Sequence, residues 1–225
     1  MRELEQKSEF EIWNECIPNN KTRCDYAELD EFERLLINGL TQKLSEFQKA
    51  KGKSYCTKTI KDTFASLIET KYSRYRIYAN KRSEDNQSCN SKDNKPYYGN
   101  KEWLFDFLCC EEDIDKPYII TNYVLAMECE WEGQRQYNNK NNTADSGASY
   151  EKDLYGSTKY DFQKLLVSNC KYRIMIFKRH KSSNEITKYF EDAINSCNNI
   201  KNNERVLCLA FDYGFKRLWY KLFVK

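Results

Sequence analysis

The sequence has 225 residues, of which 37 are basic, 34 acidic and 15% aromatic. This length fits one domain, or one domain with an appendage, and the aromatic content argues against a disordered chain. No stretch approaches the ~20 apolar residues of a membrane span, and the first residues lack the apolar core of a signal peptide. We therefore expect a soluble, cytoplasmic protein without a membrane partner. The ten cysteines form no C-x-x-C pair, which favours reduced thiols without a metal role.

Charge is unevenly distributed along the chain. Basic and acidic residues number seven and eleven in 1–50, twelve and five in 51–101, six and thirteen in 102–170, and twelve and five in 171–225. An acidic centre between two basic stretches is the layout expected of a protein that binds a polyanion and holds metal ions against it. A mixed, solvated surface is the alternative that the charge pattern leaves open.

The first half of the chain contains two predicted helices and a basic strand. Apolar residues at helical spacing predict helices over 28–50 and about 59–72. The segment YSRYRIYANKR then predicts a strand, and the polar residues 83–100 predict a loop.

Five cations in and beside that strand are candidate nucleic-acid-binding residues. They are Lys71, Arg74, Arg76, Lys81 and Arg82. Such side chains bind phosphates, and Tyr75 or Tyr78 would be available to stack on bases. An ordinary strand with one face inward and one outward explains the same alternation.

The second half predicts a sheet with crossover helices. KEWLFDFLCCEE and VLAMECEWE are the strands of a predicted hairpin. A helix over about 159–169 leads to the strand YRIMIFK, and a helix ending near Cys197 leads to RVLCLAFD and FKRLWYKLFV. The predicted element order is α-α-β-β-β-α-β-α-β-β. It describes a mixed central sheet flanked by helices, the α/β class.

Two glutamates interrupt the buried pattern of VLAMECEWE. Strand alternation puts Leu125, Met127, Cys129 and Trp131 on one face, and Val124, Ala126, Glu128 and Glu130 on the other. Both carboxylates therefore point the same way, about 7 Å apart, which is costly on a half-buried sheet unless a cation, a proton or solvent offsets them. Asp106, on the neighbouring predicted strand, would meet Glu128 across the ladder.

Metal-assisted hydrolysis fits these carboxylates better than other chemistry. The sequence has one histidine, His180, without an identifiable nucleophile partner, and no glycine-rich phosphate loop. Mg²⁺ prefers oxygen ligands, which Asp106, Glu128 and the backbone carbonyl of Cys129 would provide, and Mn²⁺ is the expected substitute. A metal held there suits phosphodiester hydrolysis. Edge-strand solubility, a salt bridge or solvent exposure would explain each acid separately.

These residues resemble the PD-(D/E)xK, restriction-endonuclease-like nucleases. That group has an αβββαβ core, an acid on its second strand, a (D/E)-x-K pair on its third and often a glutamate on its first helix. The resemblance runs from about residue 59 to 212 and implies catalytic roles for Asp106 and Glu128, with Glu69 as the first-helix candidate. Glu130 stands where the lysine is usual, which corresponds to the active ExE form of some restriction enzymes.

Lys164, on the helix after the third strand, is a candidate for a relocated catalytic lysine. Its position beside the Leu165 and Leu166 stripe favours instead a side chain that only faces solvent. The missing strand-three lysine also leaves open a catalytically inactive domain that binds nucleic acid or a protein partner.

The resemblance further implies a division of the chain and a substrate. Residues 1–57 would form an N-terminal helical extension packed on a restriction-endonuclease-like core of 58–225. DNA is favoured over RNA because the group mostly cuts DNA, and a homodimer is a possible assembly because such nucleases often pair to cut two strands.

Overall fold

A computed structural model of the protein describes residues 13–16, 26–49, 52–79, 104–116, 119–131, 155–180, 186–212 and 214–225. These residues fold into a seven-stranded mixed sheet covered on both faces by helices. The strands are β1 (Asn14–Cys16), β2 (Arg76–Tyr78), β3 (Phe107–Glu112), β4 (Ile120–Glu130), β5 (Tyr172–Lys178), β6 (Arg205–Phe211) and β7 (Leu218–Val224). The helices are α1 (Glu31–Gln42), α2 (Leu44–Gln48), α3 (Lys53–Lys71), α4 (Gly156–Leu166) and α5 (Ile186–Ser196).

The sheet has parallel strands at its centre and antiparallel strands at its edges. Its spatial order is β1-β7-β6-β5-β4-β3-β2. Strands β4, β5 and β6 run parallel, joined by crossovers that contain α4 and α5, whereas β2, β3, β7 and β1 are added antiparallel. The predicted α/β class, mixed sheet and β3–β4 hairpin are therefore confirmed. Strand β1 was not predicted.

Two helical layers bury the two faces of the sheet. Helices α1, α2 and α3 pack on one face, where Leu36, Ile60 and Phe64 lie in a core cluster with Met127 of β4. Helices α4 and α5 pack on the opposite face, where Phe162 and Phe190 belong to a second cluster. The single helix predicted over 28–50 is divided at Lys43 into α1 and α2. No helix of the described residues combines the length and apolarity that crossing a membrane requires.

The alternation of β4 follows the prediction with one exception at Val124. Leu125, Met127, Cys129 and Trp131 lie in the cluster beneath α1 to α3, and Ala126 lies in the cluster beneath α4 and α5. Val124 joins Leu125 on the first of these faces. The cause is a register shift, since Cys109 pairs with Leu125 but Cys110 pairs with Tyr123. A bulge of this kind places two consecutive residues opposite one.

The predicted strand that contains Asp106 begins later than expected. Leu104 to Asp106 form a bend, and β3 begins at Phe107. Asp106 therefore lies immediately before the strand, and its side-chain direction is not set by a strand pleat.

The predicted division at residue 57 does not coincide with a structural boundary. It falls inside α3, which begins at Lys53. Asn14–Cys16 also add a strand to the same sheet by pairing with β7. The part of 1–57 that the structure describes is therefore not purely helical, and it shares a core with the rest of the described chain.

The N-terminus of α1 is anchored to the sheet by hydrogen bonds. Asp30 caps the helix by accepting from the Glu33 N–H at 2.9 Å, and Glu33 accepts in return from the Asp30 N–H at 2.9 Å. The hydroxyl of Tyr172 in β5 donates to the second oxygen of Asp30 at 2.7 Å, and Arg205 of β6 forms an ion pair with the buried Glu33. This capping box therefore connects α1 to two central strands.

We predict that Asp30→Ala lowers the free energy of unfolding by about 1–3 kcal/mol, because it removes a helix cap and the acceptor of a part-buried hydroxyl. Tyr172→Phe removes only the second contact and should cost about 0.5–1.5 kcal/mol. Chemical denaturation of both variants measures the difference. Equal stability of Asp30→Ala and the wild type would mean that the capping box does not anchor α1.

Candidate active site

Asp106 is held by two different elements, one at each carboxylate oxygen. Its Oδ2 accepts a hydrogen bond from the backbone N–H of Cys129 in β4 at 2.9 Å. Its Oδ1 lies 3.2 Å from the Nζ of Lys61 in α3. The Lys61 side chain is only 2% exposed, and that of Asp106 is 19% exposed. The orientation of this carboxylate is therefore set from both sides.

Glu128 is a buried carboxylate in the centre of the sheet. It lies in β4 with only 3% of its surface exposed. Lys164, in the last turn of α4, places its Nζ 2.5 Å from Oε1 of Glu128 and 3.5 Å from Oδ1 of Asp161. The Lys164 side chain remains 34% exposed. A cation from the helical layer thus reaches the buried acid and keeps access to solvent.

The strand register explains why the two acids are neighbours. Phe107 pairs with Met127 in the antiparallel β3–β4 ladder, so one further step of the same register sets Asp106 beside Glu128. Glu128 also lies near the carboxyl end of β4, beside Met175 of the parallel strand β5. Ligands of open α/β sheets bind outside the carboxyl ends of the parallel strands. The acids therefore occupy a favourable place for a site.

Asp106, Glu128, Lys61 and Lys164 form the candidate site, which we call the cluster from here on. Burial of Glu128 dominates its electrostatics. The pKa of Glu128 is raised to about 8, chiefly because the group is buried; the hydrogen bond with Lys164 opposes this rise, and the nearby charge of Asp106 adds to it. Burial alone would lower the pKa of Lys164, but the hydrogen bond and charges of Glu128 and Asp161 outweigh it and leave this pKa raised. Lys164 is therefore held as an ammonium.

Glu130 and the carbonyl of Cys129 lie beside this pair of acids. Glu130 is two residues beyond Glu128 on the same face, about 7 Å along the strand, half-buried and in register with Phe177 of β5. The N–H and C=O of one strand residue point to the same side of the strand. Because the N–H of Cys129 donates to Asp106, its carbonyl leaves β4 on the side where Asp106 lies.

The structure does not bring Glu69 to the cluster. Glu69 is exposed near the end of α3, and about 12 Å of helix separates it from Lys61, the residue of α3 that reaches Asp106. The first-helix role assigned to Glu69 therefore has no geometric support.

Three of the five candidate nucleic-acid-binding residues lie within the described residues, and each forms an ion pair with a glutamate. Lys71 pairs with Glu31, Arg74 with Glu111 at 3.0 Å, and Arg76 with Glu112 at 3.5 Å. Tyr78 is buried and donates its hydroxyl to Glu112 at 2.6 Å, so its ring is not available to stack on a base. Lys81 and Arg82 lie outside the described residues.

Lys61 belongs to the cluster but was not predicted from the sequence. It lies on the inward stripe of α3 with Phe64, Ala65 and Ile68, at the spacing i, i+3, i+4 and i+7, and all four are buried. A lysine at a core position of an amphipathic helix signals a buried ion pair, because an unpaired charge there is very costly. That signal was present in the sequence.

The donor set fits a hard divalent cation. Asp106, Glu128 and the Cys129 carbonyl supply oxygen ligands, and Mg²⁺ commonly binds one or two carboxylates and completes its shell with water and substrate phosphate. Oε1 of Glu128 is buried, and the group in contact with it is the Lys164 ammonium, 2.5 Å away. Within the described ranges, no group of three or more His, Cys, Asp or Glu side chains is arranged around a metal position. The residues present therefore offer a divalent cation two carboxylates and one backbone carbonyl.

Comparisons with known proteins identify no relative. A scan against protein-family models, a search of curated proteins and a search of solved structures each return no match for this chain.

We predict that Glu128→Gln becomes more stable relative to the wild type as the pH rises. The pKa of Glu128 is raised from an ordinary 4.5 to about 8, so its favourable contribution is complete below pH 4.5 and is lost as the pH rises through 8. The difference in unfolding free energy should change by about 2–5 kcal/mol in favour of Gln between pH 4.5 and pH 9.

Denaturant unfolding of both proteins across this pH range measures the effect, and Lys188→Ala, at an exposed ion pair with Asp192 on α5, is the matched control. A pH-independent difference between Glu128→Gln and the wild type would show that Glu128 is ionised throughout.

Proposed function

We propose that this chain is a metal-dependent nuclease that hydrolyses phosphodiester bonds, with Asp106, Glu128 and Lys164 at its active site. The observation that carries the proposal is the convergence of these three side chains from the bend before β3, from β4 and from α4. Two acids and a lysine of this kind, at the carboxyl end of a parallel strand, form an arrangement suited to a phosphate and a metal ion.

Asp106, Glu128 and the carbonyl of Cys129 would hold the cation. When bound, Mg²⁺ supplies charge stabilisation at the phosphate and lowers the pKa of a ligated water. The Cys129 N–H and Lys61 keep the carboxylate of Asp106 in place beside Glu128. The protein's contribution would therefore be two oxygen ligands, of which Asp106 is held in place before a metal binds.

Lys164 would stabilise negative charge on the scissile phosphate. Its raised pKa keeps it protonated at neutral pH, so it is suited to electrostatic stabilisation and not to proton abstraction. Because its side chain is partly exposed, the ammonium can contact a substrate oxygen without leaving the cluster.

The resemblance to PD-(D/E)xK nucleases agrees with this assignment. The run α3, β2, β3, β4, α4, β5 has the αβββαβ order of that group, with Asp106 just before the second strand and Glu128 on the third. Glu130 keeps the ExE pattern, and Lys164 would supply the positive charge from the following helix. The same resemblance is the basis for proposing DNA as the substrate and a homodimer as the assembly.

A catalytically inactive binding domain is the second candidate. It is favoured by the lysine partner of each acid, Lys61 for Asp106 and Lys164 for Glu128, because such pairs offset the carboxylate charges without a metal. Glutamate at position 130 in place of the usual lysine points in the same direction.

We predict that the wild type cleaves plasmid DNA in the presence of Mg²⁺ or Mn²⁺ and not in EDTA, and that Glu128→Gln reduces the rate at least about 100-fold by removing a ligand charge. Labelled RNA is tested in parallel to identify the substrate. Lys188→Ala serves as the surface control with unchanged activity. Metal-independent cleavage, or full activity of Glu128→Gln, would exclude this site, and binding without any cleavage would support the inactive domain.

Further variants in the same assay test whether Lys164 is the catalytic lysine and what role Glu130 has. Lys164→Ala should strongly reduce the rate of cleavage if Lys164 contacts the phosphate. Glu130→Gln should strongly reduce it if Glu130 has the ExE role. Asp106→Asn should also abolish cleavage, but it leaves the buried Lys61 without its carboxylate partner, so its folding must be measured first. If Lys164→Ala and Glu130→Gln are both silent in an active enzyme, the assigned site is wrong.

A further inference from the structure

The strongest unassigned feature of the site is the buried lysine of α3. The side chain of Lys61 is 2% exposed and lies among core residues of the helix, whereas that of Lys164 is 34% exposed. Burying an ammonium is costly unless a partner of opposite charge compensates it. Lys61 meets this requirement at Oδ1 of Asp106, at 3.2 Å.

Asp106 depends on side-chain contacts for its orientation more than a strand residue would. It lies in the bend before β3, where the backbone ladder does not yet set the side-chain direction. Its two oxygens are held by Lys61 on one side and by the Cys129 N–H on the other. Removing Lys61 would leave one contact, about which the carboxylate can rotate.

The two lysines therefore differ in what they can contact. Lys164 is partly open to solvent and can meet a substrate, whereas the buried Lys61 cannot. We propose that Lys61 is a positioning residue, which holds the carboxylate of Asp106 in the orientation required for a divalent cation and does not touch the substrate. This inference rests on the proposed metal-dependent function.

A purely structural ion pair would have a different consequence. It would contribute to the stability of the fold but leave the affinity of the folded protein for a metal unchanged. Partners that orient metal ligands typically contribute 10- to 100-fold to metal affinity. Metal affinity therefore separates a positioning role from a structural one.

The experiment measures Mn²⁺ binding to the full chain by isothermal titration calorimetry, without substrate. The variants are Lys61→Met, which is one atom shorter and loses the charge, and Lys61→Gln, which is polar and tolerates water if the Met variant does not fold. We expect the Mn²⁺ dissociation constant of each folded variant to rise about 10-fold or more. Asp30→Ala is the matched control, because it lowers stability away from the cluster and should leave the dissociation constant unchanged.

Each outcome has a definite meaning. Weaker binding by the Lys61 variants, with normal binding by Asp30→Ala, supports the positioning role. Unchanged or tighter binding by the Lys61 variants overturns it while leaving the nuclease proposal intact, since tighter binding would mean that the ammonium only repels the cation. A wild type that binds no Mn²⁺ overturns both.

Discussion

The carboxylate of Glu128, buried in the middle of the sheet, is the constraint on which the candidate site depends. A charged group removed from water is expensive, and a second acid beside it raises the cost. The ammonium of Lys164, which reaches Glu128 from α4, offsets only part of this cost, and the pKa of Glu128 stays raised to about 8. A fold that needed only stability would be served as well by an apolar residue at this position, because replacing a buried ion pair by apolar residues is often neutral or stabilising. The proposed metal site would supply a reason for a carboxylate here that stability does not.

The site is asymmetric because the two faces of the sheet are covered by different helices. Lys61 approaches from α3, beneath the first helical layer, and fixes Asp106. Lys164 approaches from α4 in the second layer, with part of its surface exposed. One lysine can therefore act only through its acid, whereas the other can also meet a ligand. Under the proposed function, substrate would enter from the side of Lys164, because that lysine is partly exposed whereas Lys61 is buried.

Much of the fold was predictable from periodicity. The elements that periodicity did not predict have local causes. Strand β5 and the β3–β4 hairpin follow from buried or alternating runs, as predicted. Strand β1 has only three residues, too few for a periodic pattern, and gains its place by pairing with β7. The break at Lys43 and the bulge at Val124 are set by tertiary packing and register, which alternation alone does not encode.

The site was partly predictable for the same reasons. Asp106 and Glu128 were expected to be neighbours because hairpin register is a local property, although Asp106 lies in a bend and not in the strand. Lys164 was expected to face solvent, since a residue beside an apolar stripe usually does; its contact with Glu128 depends on how α4 lies on the sheet. The ion pairs of Lys71, Arg74 and Arg76 depend on acids distant in sequence, which a basic segment does not reveal.

The position of a metal ion in a crystal tests the proposed site most directly. Crystals of the wild type grown or soaked with Mn²⁺, with diffraction data collected at the manganese absorption edge, would locate the ion by anomalous scattering. If the two acids share a cation, a peak lies between Asp106 and Glu128 in the wild type and is lost in Glu128→Gln. A saturated crystal without a peak between these two carboxylates, or with its strongest peak elsewhere on the chain, would contradict it.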